Sequence, residues 1–138
     1  MRKVYHVLCF CLLVLAHTQV SAQCSNGRYY NKIFSADNHL NVPYGSAPRY
    51  EGTIQNLTMD IFEPHNDNFA QRPLIILAFG GSFTSGAKES PDMLQLCNDF
   101  AQRGYVTATI DYRIGTENCD DSCIYKAVIR GIQDMNAA

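Results

Sequence analysis

The sequence predicts an α/β fold, and three observations carry that prediction. A continuous apolar run, Leu74-Ile75-Ile76-Leu77-Ala78-Phe79, lies between Pro73 and Gly80-Gly81. A segment of helical period opens at Ser90-Pro91 and stops at Gly104. A second β-branched run, Tyr105 to Ile110, follows at once. Residues 80–104 leave room for the helical crossover that joins parallel strands.

The first segment reads as an export signal rather than as part of the fold. Arg2 and Lys3 precede an apolar run from Val7 to Ala16, and Val20-Ser21-Ala22 places small residues at −3 and −1 of a cleavage point after Ala22. The run is too short to span a bilayer. A lipid-attachment cysteine needs a small residue before it, and Gln23 precedes Cys24, so simple cleavage is expected. The division is then a signal peptide at 1–22 and one domain at 23–138, secreted or periplasmic. Cleavage removes two cations from a chain of formal charge −2. No basic face for nucleic acid and no polybasic membrane segment remains. A composition of 46% hydrophobic and 17% charged residues, without repeats or low-complexity tracts, excludes disordered and collagen-like classes.

Cys9 and Cys11 leave with the signal. Cys24, Cys97, Cys119 and Cys123 remain, and in an exported chain they suit disulfides in any of three pairings. Cys119 and Cys123 are the closest pair. Zinc would need His39 or His65 as further ligands, and neither lies near a cysteine, so no metal is expected.

Residues 28–62 read as strand material with turns. Arg28 to Phe34 is aromatic and β-branched, and Pro43-Tyr44-Gly45-Ser46 punctuates as a turn. Tyr29, Tyr30 and Phe34 could present a carbohydrate-binding face, although aromatic residues there more often pack a sheet. Apolar residues at 57, 59 and 61 have the period of a half-buried strand that Pro64 ends. His65 to Arg72 reads as a polar surface loop. The run 74–79 has no polar face and suits a central strand covered on both sides.

Ser90 is placed to cap the next helix, with Pro91 at its first position and Asp92 at its positive end. Met93, Leu96, Cys97 and Phe100 would form its apolar face. Asp111-Tyr112-Arg113 closes the following strand and reads as an ion pair or loop anchor. A last helix would pack Ile124, Ala127, Val128, Ile132 and Met135 on one face. That face is still running at Ala138, with no further strand to cross to. A two-strand parallel element wants more neighbours than this, so the chain reads as the front part of a larger α/β domain.

Gly80-Gly81-Ser82-Phe83-Thr84-Ser85-Gly86 is the loop that carries chemistry. Gly81 and Gly86 have phosphate-loop separation, but Ala87-Lys88-Glu89 follows, with the lysine one position late and no hydroxyl after it. The dinucleotide spacing G-x-G-x-x-G also fails. A second reading is an oxyanion hole, in which backbone N–H groups of such a loop point into a cavity and stabilise the negative oxygen of acyl transfer; the plain alternative is that Gly80-Gly81 only make a tight strand-to-helix turn.

At this point the sequence resembles the secreted carboxylesterase/lipase branch of the α/β-hydrolase fold. Residues 72–83 look like its third strand and oxyanion loop. Leu57 to Pro64 resembles the strand before it, and Phe100 to Arg113 its first helix leading into strand four. The resemblance implies an incomplete α/β-hydrolase fold: N-terminal strands, then strand, helix, strand, helix, ending before the nucleophile elbow. It implies that Gly81 and Ser82 supply the backbone oxyanion donors, with Gly80 shaping the turn. Phe79 and Ser82 depart from the family's histidine and glycine. The implied substrate is a small ester, attacked through an acyl-enzyme with no cofactor.

The rest of the machinery is missing from these residues. The family's serine sits in G-x-S-x-G, followed by an acid and then a histidine. Ser82 has Gly80 before it but Thr84 after it, and no other serine has a flanking glycine pair. His39 and His65 precede the loop instead of following it, and read as surface or strand residues. The expectation is therefore an inactive piece of an esterase. The alternatives are a small disulfide-stabilised binding module and, more weakly, a flavodoxin- or Rossmann-like domain binding phosphate at residues 80–86. Asn56-Leu57-Thr58 is a glycosylation sequon. Oligomeric state is open.

Overall fold

The structure is a computed structural model describing residues 25–116 and 121–138, without the side chains of Ser25 and Asp121. The export signal at 1–22, Cys24 and Cys119 lie outside the described residues. A short 3-10 turn at Ser25–Gly27 precedes β1 (Ala36–Pro48), β2 (Ile54–Pro64), β3 (Leu74–Ala78), α1 (Pro91–Ala101), β4 (Val106–Ile110) and α2 (Asp121–Ala137). The sheet order is β1-β2-β4-β3. β1 pairs antiparallel with β2, and β2 with β4, whereas β3 and β4 run parallel. The predicted strand–helix–strand crossover is therefore present.

The helices take opposite faces of the sheet. Phe62 and Leu77 pack with Leu94, Cys97 and Ala101 of α1. Met59, Ala108 and Ile110 form the other core with Val42, Tyr44 and Met135 of α2. The alternation in β4 explains this split. Ala108 and Ile110 enter one core, while Thr107 and Thr109 face the α1 side, where each hydroxyl has an acceptor. Thr107 donates to the Cys97 carbonyl (2.9 Å) and Thr109 to the Lys88 carbonyl (3.1 Å). Fully buried hydroxyls are thereby satisfied.

Several sequence expectations are corrected. Arg28 to Phe34 is irregular and makes no strand. Pro43-Tyr44-Gly45-Ser46 is not a turn but lies within β1, where register shifts fall between His39 and Val42 and between Pro43 and Gly45. Bulges absorb the residues that discourage regular pairing. Asn41 sits there at φ 56, and its N–H donates to Asp60 (2.7 Å). β3 is at the edge of the described sheet, with Leu74 59% and Ile76 39% exposed.

In α1, Ser90 occupies the N-cap position but its hydroxyl makes no capping bond. It bonds Asp92 instead and holds that carboxyl below its usual range. Leu96 faces water, and Leu94, Cys97 and Ala101 make the packed face. Cys97 is a free, buried thiol, which rules out two bridges among the four predicted cysteines. The packed residues of α2 are Cys123, Ala127, Gly131 and Asp134, whereas Ile124, Ile129 and Ile132 are about half exposed. Of the predicted apolar face, Ala127 is buried and Met135 packs on the core, whereas Ile124 and Ile132 are left bare among the described residues. No helix among the described residues is long and apolar enough to cross a membrane.

Candidate active site

β3 delivers the chain into the Gly80–Gly86 loop. Gly81 has φ 132, Ser82 φ 53 and Phe83 φ 62. Ser82 and Phe83 are left-handed non-glycine residues in succession, a strained arrangement costing roughly 1–3 kcal/mol each. The Gly81 carbonyl closes the turn, accepting N–H bonds from Thr84 (3.0 Å) and Ser85 (3.2 Å) and the Thr84 hydroxyl (3.0 Å). The N–H groups of Gly81 and Ser82 have no acceptor among the described residues, and both residues are exposed. A flipped peptide with spare donors is what oxyanion binding requires.

The glycine requirement is specific. A Cβ on Gly81 would lie 2.0 Å from the Ser85 carbonyl oxygen, and one on Gly86 2.4 Å from the Phe79 ring. Gly80 differs, since a Cβ there would meet nothing within 4 Å. The turn needs glycine at 81 and 86 more than at 80.

Phe79 shows how the loop is braced. Its ring is buried and stacks on Tyr112 at 4.3 Å, and the Tyr112 hydroxyl donates to its carbonyl (2.7 Å). Phe83 meets the same tyrosine edge-on at 5.8 Å. A Cβ on Gly131 would lie 2.8 Å from Phe83, so α2 backs the loop closely. Tyr112 is therefore a loop anchor, as its position at a strand end suggested. Tyr112→Phe is expected to cost about 1 kcal/mol by thermal unfolding and to speed amide exchange in residues 79–85.

The far end of the loop is held by Lys88, which sequence reasoning considered only as a failed phosphate ligand. Its side chain is 1% exposed. Nζ donates to Asp60 (2.8 Å), Asn41 (3.0 Å) and Glu89 (2.6 Å). Burial opposes its charge, but the bonds to Asp60 and Glu89 outweigh that and hold Lys88 above the ordinary lysine value. No local signal marks its burial, because two of its three partners, Asn41 and Asp60, lie on β1 and β2.

Around β4's end the polar residues are structural. Asp111 accepts from the Thr58 hydroxyl (2.8 Å), its carbonyl accepts from the Tyr44 hydroxyl, and burial raises its carboxyl. Arg113 donates through Nε and Nη2 to Asp134, at 2.8 Å for the closest contact, and its backbone N–H donates there too (2.8 Å). This is the expected ion pair. His39 and His65 are exposed and pair with Glu63 and Asp37. Among the described residues no hydrogen bond joins a serine to a histidine.

Solved structures of similar shape include an inhibited esterase B from Lactobacillus rhamnosis (15% identity, 99% of this chain and 35% of that one, TM-score 0.51). A bacterial heroin esterase (21%, 93% and 34%, 0.45) also matches. So does a brefeldin A esterase described as a bacterial homologue of human hormone sensitive lipase (14%, 83% and 29%, 0.46). The chain covers about a third of the length of each. No curated protein matches it significantly by sequence. The fold is that of the α/β-hydrolases, with only part of it represented in these residues. The profile of the BD-FAE family matches residues 59–137, from the middle of β2 through the loop and both helices, and by that match the chain belongs to the BD-FAE family.

Proposed function

We propose that residues 23–138 form the front of an exported serine carboxylesterase, in which Gly81 and Ser82 donate their backbone N–H groups to the oxyanion of a tetrahedral intermediate. The observation that carries this reading is the flipped Gly81-Ser82 segment. Its carbonyl is satisfied within the turn, and its two N–H groups have no acceptor among the described residues. The rest of the apparatus would come from a longer chain. A serine in G-x-S-x-G would attack the ester carbonyl and expel the alcohol, and water would then release the acid. The bare edge of β3 and the exposed stripe of α2 support this, because each offers apolar surface for further elements to cover.

Export follows from the reading of residues 1–22. In an oxidising compartment, Cys119 and Cys123 are the proposed bridge, with Cys97 left as a buried thiol. The proposed substrate of the whole protein is a small ester, without metal or cofactor.

The test begins with the reading frame after Ala138. A strand ending in G-x-S-x-G within a few tens of residues is expected, and a stop codon at that point contradicts the proposal. The product of the whole frame should release p-nitrophenol from p-nitrophenyl butyrate with an initial burst. Residues 23–138 alone should give none, for want of a nucleophile.

A further inference from the structure

At the other end of the sheet lies a cavity of about 290 Å³, lined by Arg28, Ile33, Phe34, Asp67, Phe69 and three asparagines. Arg28 bonds the Gly104 carbonyl (3.2 Å), just before β4 begins, and residues 66–69 precede β3. The oxyanion loop leaves the opposite ends of these parallel strands. Five strand residues separate the two regions, roughly 15 Å. The cavity is therefore not part of the site described above.

Its walls are built, not incidental. Arg28 and Asp67 form a two-pronged pair (2.9 and 2.5 Å), with side chains only 4% and 2% exposed. The guanidinium lies 4.2 Å from the Phe69 ring centre and 5.2 Å from that of Phe34. The cation thus fixes one face of Phe69, yet 47% of that residue stays exposed, beside an equally exposed Ile33 at 48%. Asn26, Asn66 and Asn68 complete the lining. Asn66 already contacts His65 (2.8 Å). The amides of Asn26 and Asn68 make no side-chain bond among the described residues.

The chemistry of these walls selects a ligand class. Asp67 is shared by Arg28 and, at 3.9 Å, by Arg72, which also bonds Glu63 (3.3 Å); the two cations and two carboxylates balance, so an anion would meet a carboxylate and a cation a guanidinium. A charged ligand would lose hydration without a free counter-charge. A neutral ligand with an apolar face and a rim of hydroxyls matches better. Its C–H face would cover Phe69 and Ile33, and its hydroxyls would exchange hydrogen bonds with amides that both donate and accept. The volume is at the small end for ligand pockets and suits about one or two sugar rings. We infer that this cavity is a binding site for a neutral saccharide, separate from the proposed oxyanion loop and independent of the esterase reading.

The experiment is an NMR titration of the purified, isotope-labelled protein with cellobiose, maltose and lactose, and with glucuronic acid, glucosamine and trialanine as rivals. At least one neutral disaccharide should bind saturably and shift amides of residues 26–34 and 66–69 while leaving 80–86 unmoved. Phe69→Ala should weaken binding about tenfold, the loss of one good ring contact. Asn68→Ala, an exposed change that leaves the scaffold intact, should weaken it about threefold. The inference is overturned if no neutral disaccharide saturates, if the shifts centre on 80–86, if a charged sugar or trialanine binds more tightly, or if a folded Asn68→Ala protein binds unchanged.

Discussion

Asp134→Ala should destabilise the protein by about 3–5 kcal/mol, the usual cost of removing one partner of a buried ion pair. Arg113 and Asp134 are 8% and 4% exposed. The substitution leaves the Arg113 guanidinium buried with only carbonyl and amide partners: Pro48 (3.0 Å), Arg130 (3.4 Å) and Gln133 (3.3 Å). It also removes the acceptor of the Arg113 backbone N–H. Among the described residues much of the apolar surface of α2 faces water, so the buried pair is a main tie to the sheet. A domain of this size has a total stability of about 5–15 kcal/mol, so the loss should be plain in a urea melt. Asp134→Asn keeps an acceptor for the N–H and should lose markedly less. Equal midpoints for Asp134→Ala and the parent would show that the pair does not hold the helix.

Lys88→Met is the second large effect, again about 3–5 kcal/mol. Here the carboxylate of Asp60 is stranded, 3% exposed, with the Asn41 N–H as its remaining close donor. Replacing both residues, as Lys88→Met with Asp60→Leu, should recover part of the loss, because no unpaired charge then remains. The pH dependence has a definite sign. The folded-state value of Lys88 is raised above 10.5. Its contribution is therefore complete below that unfolded value and fades as pH rises through the folded one. In the Lys88→Met protein, stability should fall less between neutral pH and pH 11 than in the parent. A parallel fall in both would remove Lys88 from the account.

The order of strands and helices was legible in the sequence because it rests on local patterns. Pro73 and Gly80 bracket β3, Pro91 and Gly104 bracket α1, and each boundary has a backbone cause. What covers a surface is not local. Ile124 and Ile132 have the same spacing whether they are buried or bare, and Leu74 reads as a buried strand residue although it lies at an open edge. Pro43 and Gly45 read as a turn for a related reason, although they lie at a register shift within β1. They signal a break in pairing, and a bulge serves as well as a turn.

The loop was legible as a glycine-rich strand-to-helix connection, but its bracing was not. Tyr112 lies 33 residues from the carbonyl it bonds and Lys88 lies 28 from Asp60. A lysine is ordinarily exposed, and the carboxylate brought beside it by β2, with that of the adjacent Glu89, makes its burial tolerable. Arg28 shows the same limitation: its pair with Asp67 spans 39 residues, and no spacing rule connects them.

In the proposed esterase the Gly81 and Ser82 N–H groups, and not a side chain in the loop, stabilise the oxyanion. The most direct measurement is kcat for p-nitrophenyl butyrate with the product of the whole reading frame, comparing Gly81→Ala with Ser82→Ala. A methyl at Gly81 collides with the Ser85 carbonyl and turns the peptide away, so kcat should fall about 100- to 1,000-fold with KM little changed. Ser82→Ala keeps the N–H and the backbone angle and should stay within about threefold of the parent. A Gly81→Ala enzyme of undiminished kcat, or a Ser82→Ala enzyme that is dead, would contradict the account.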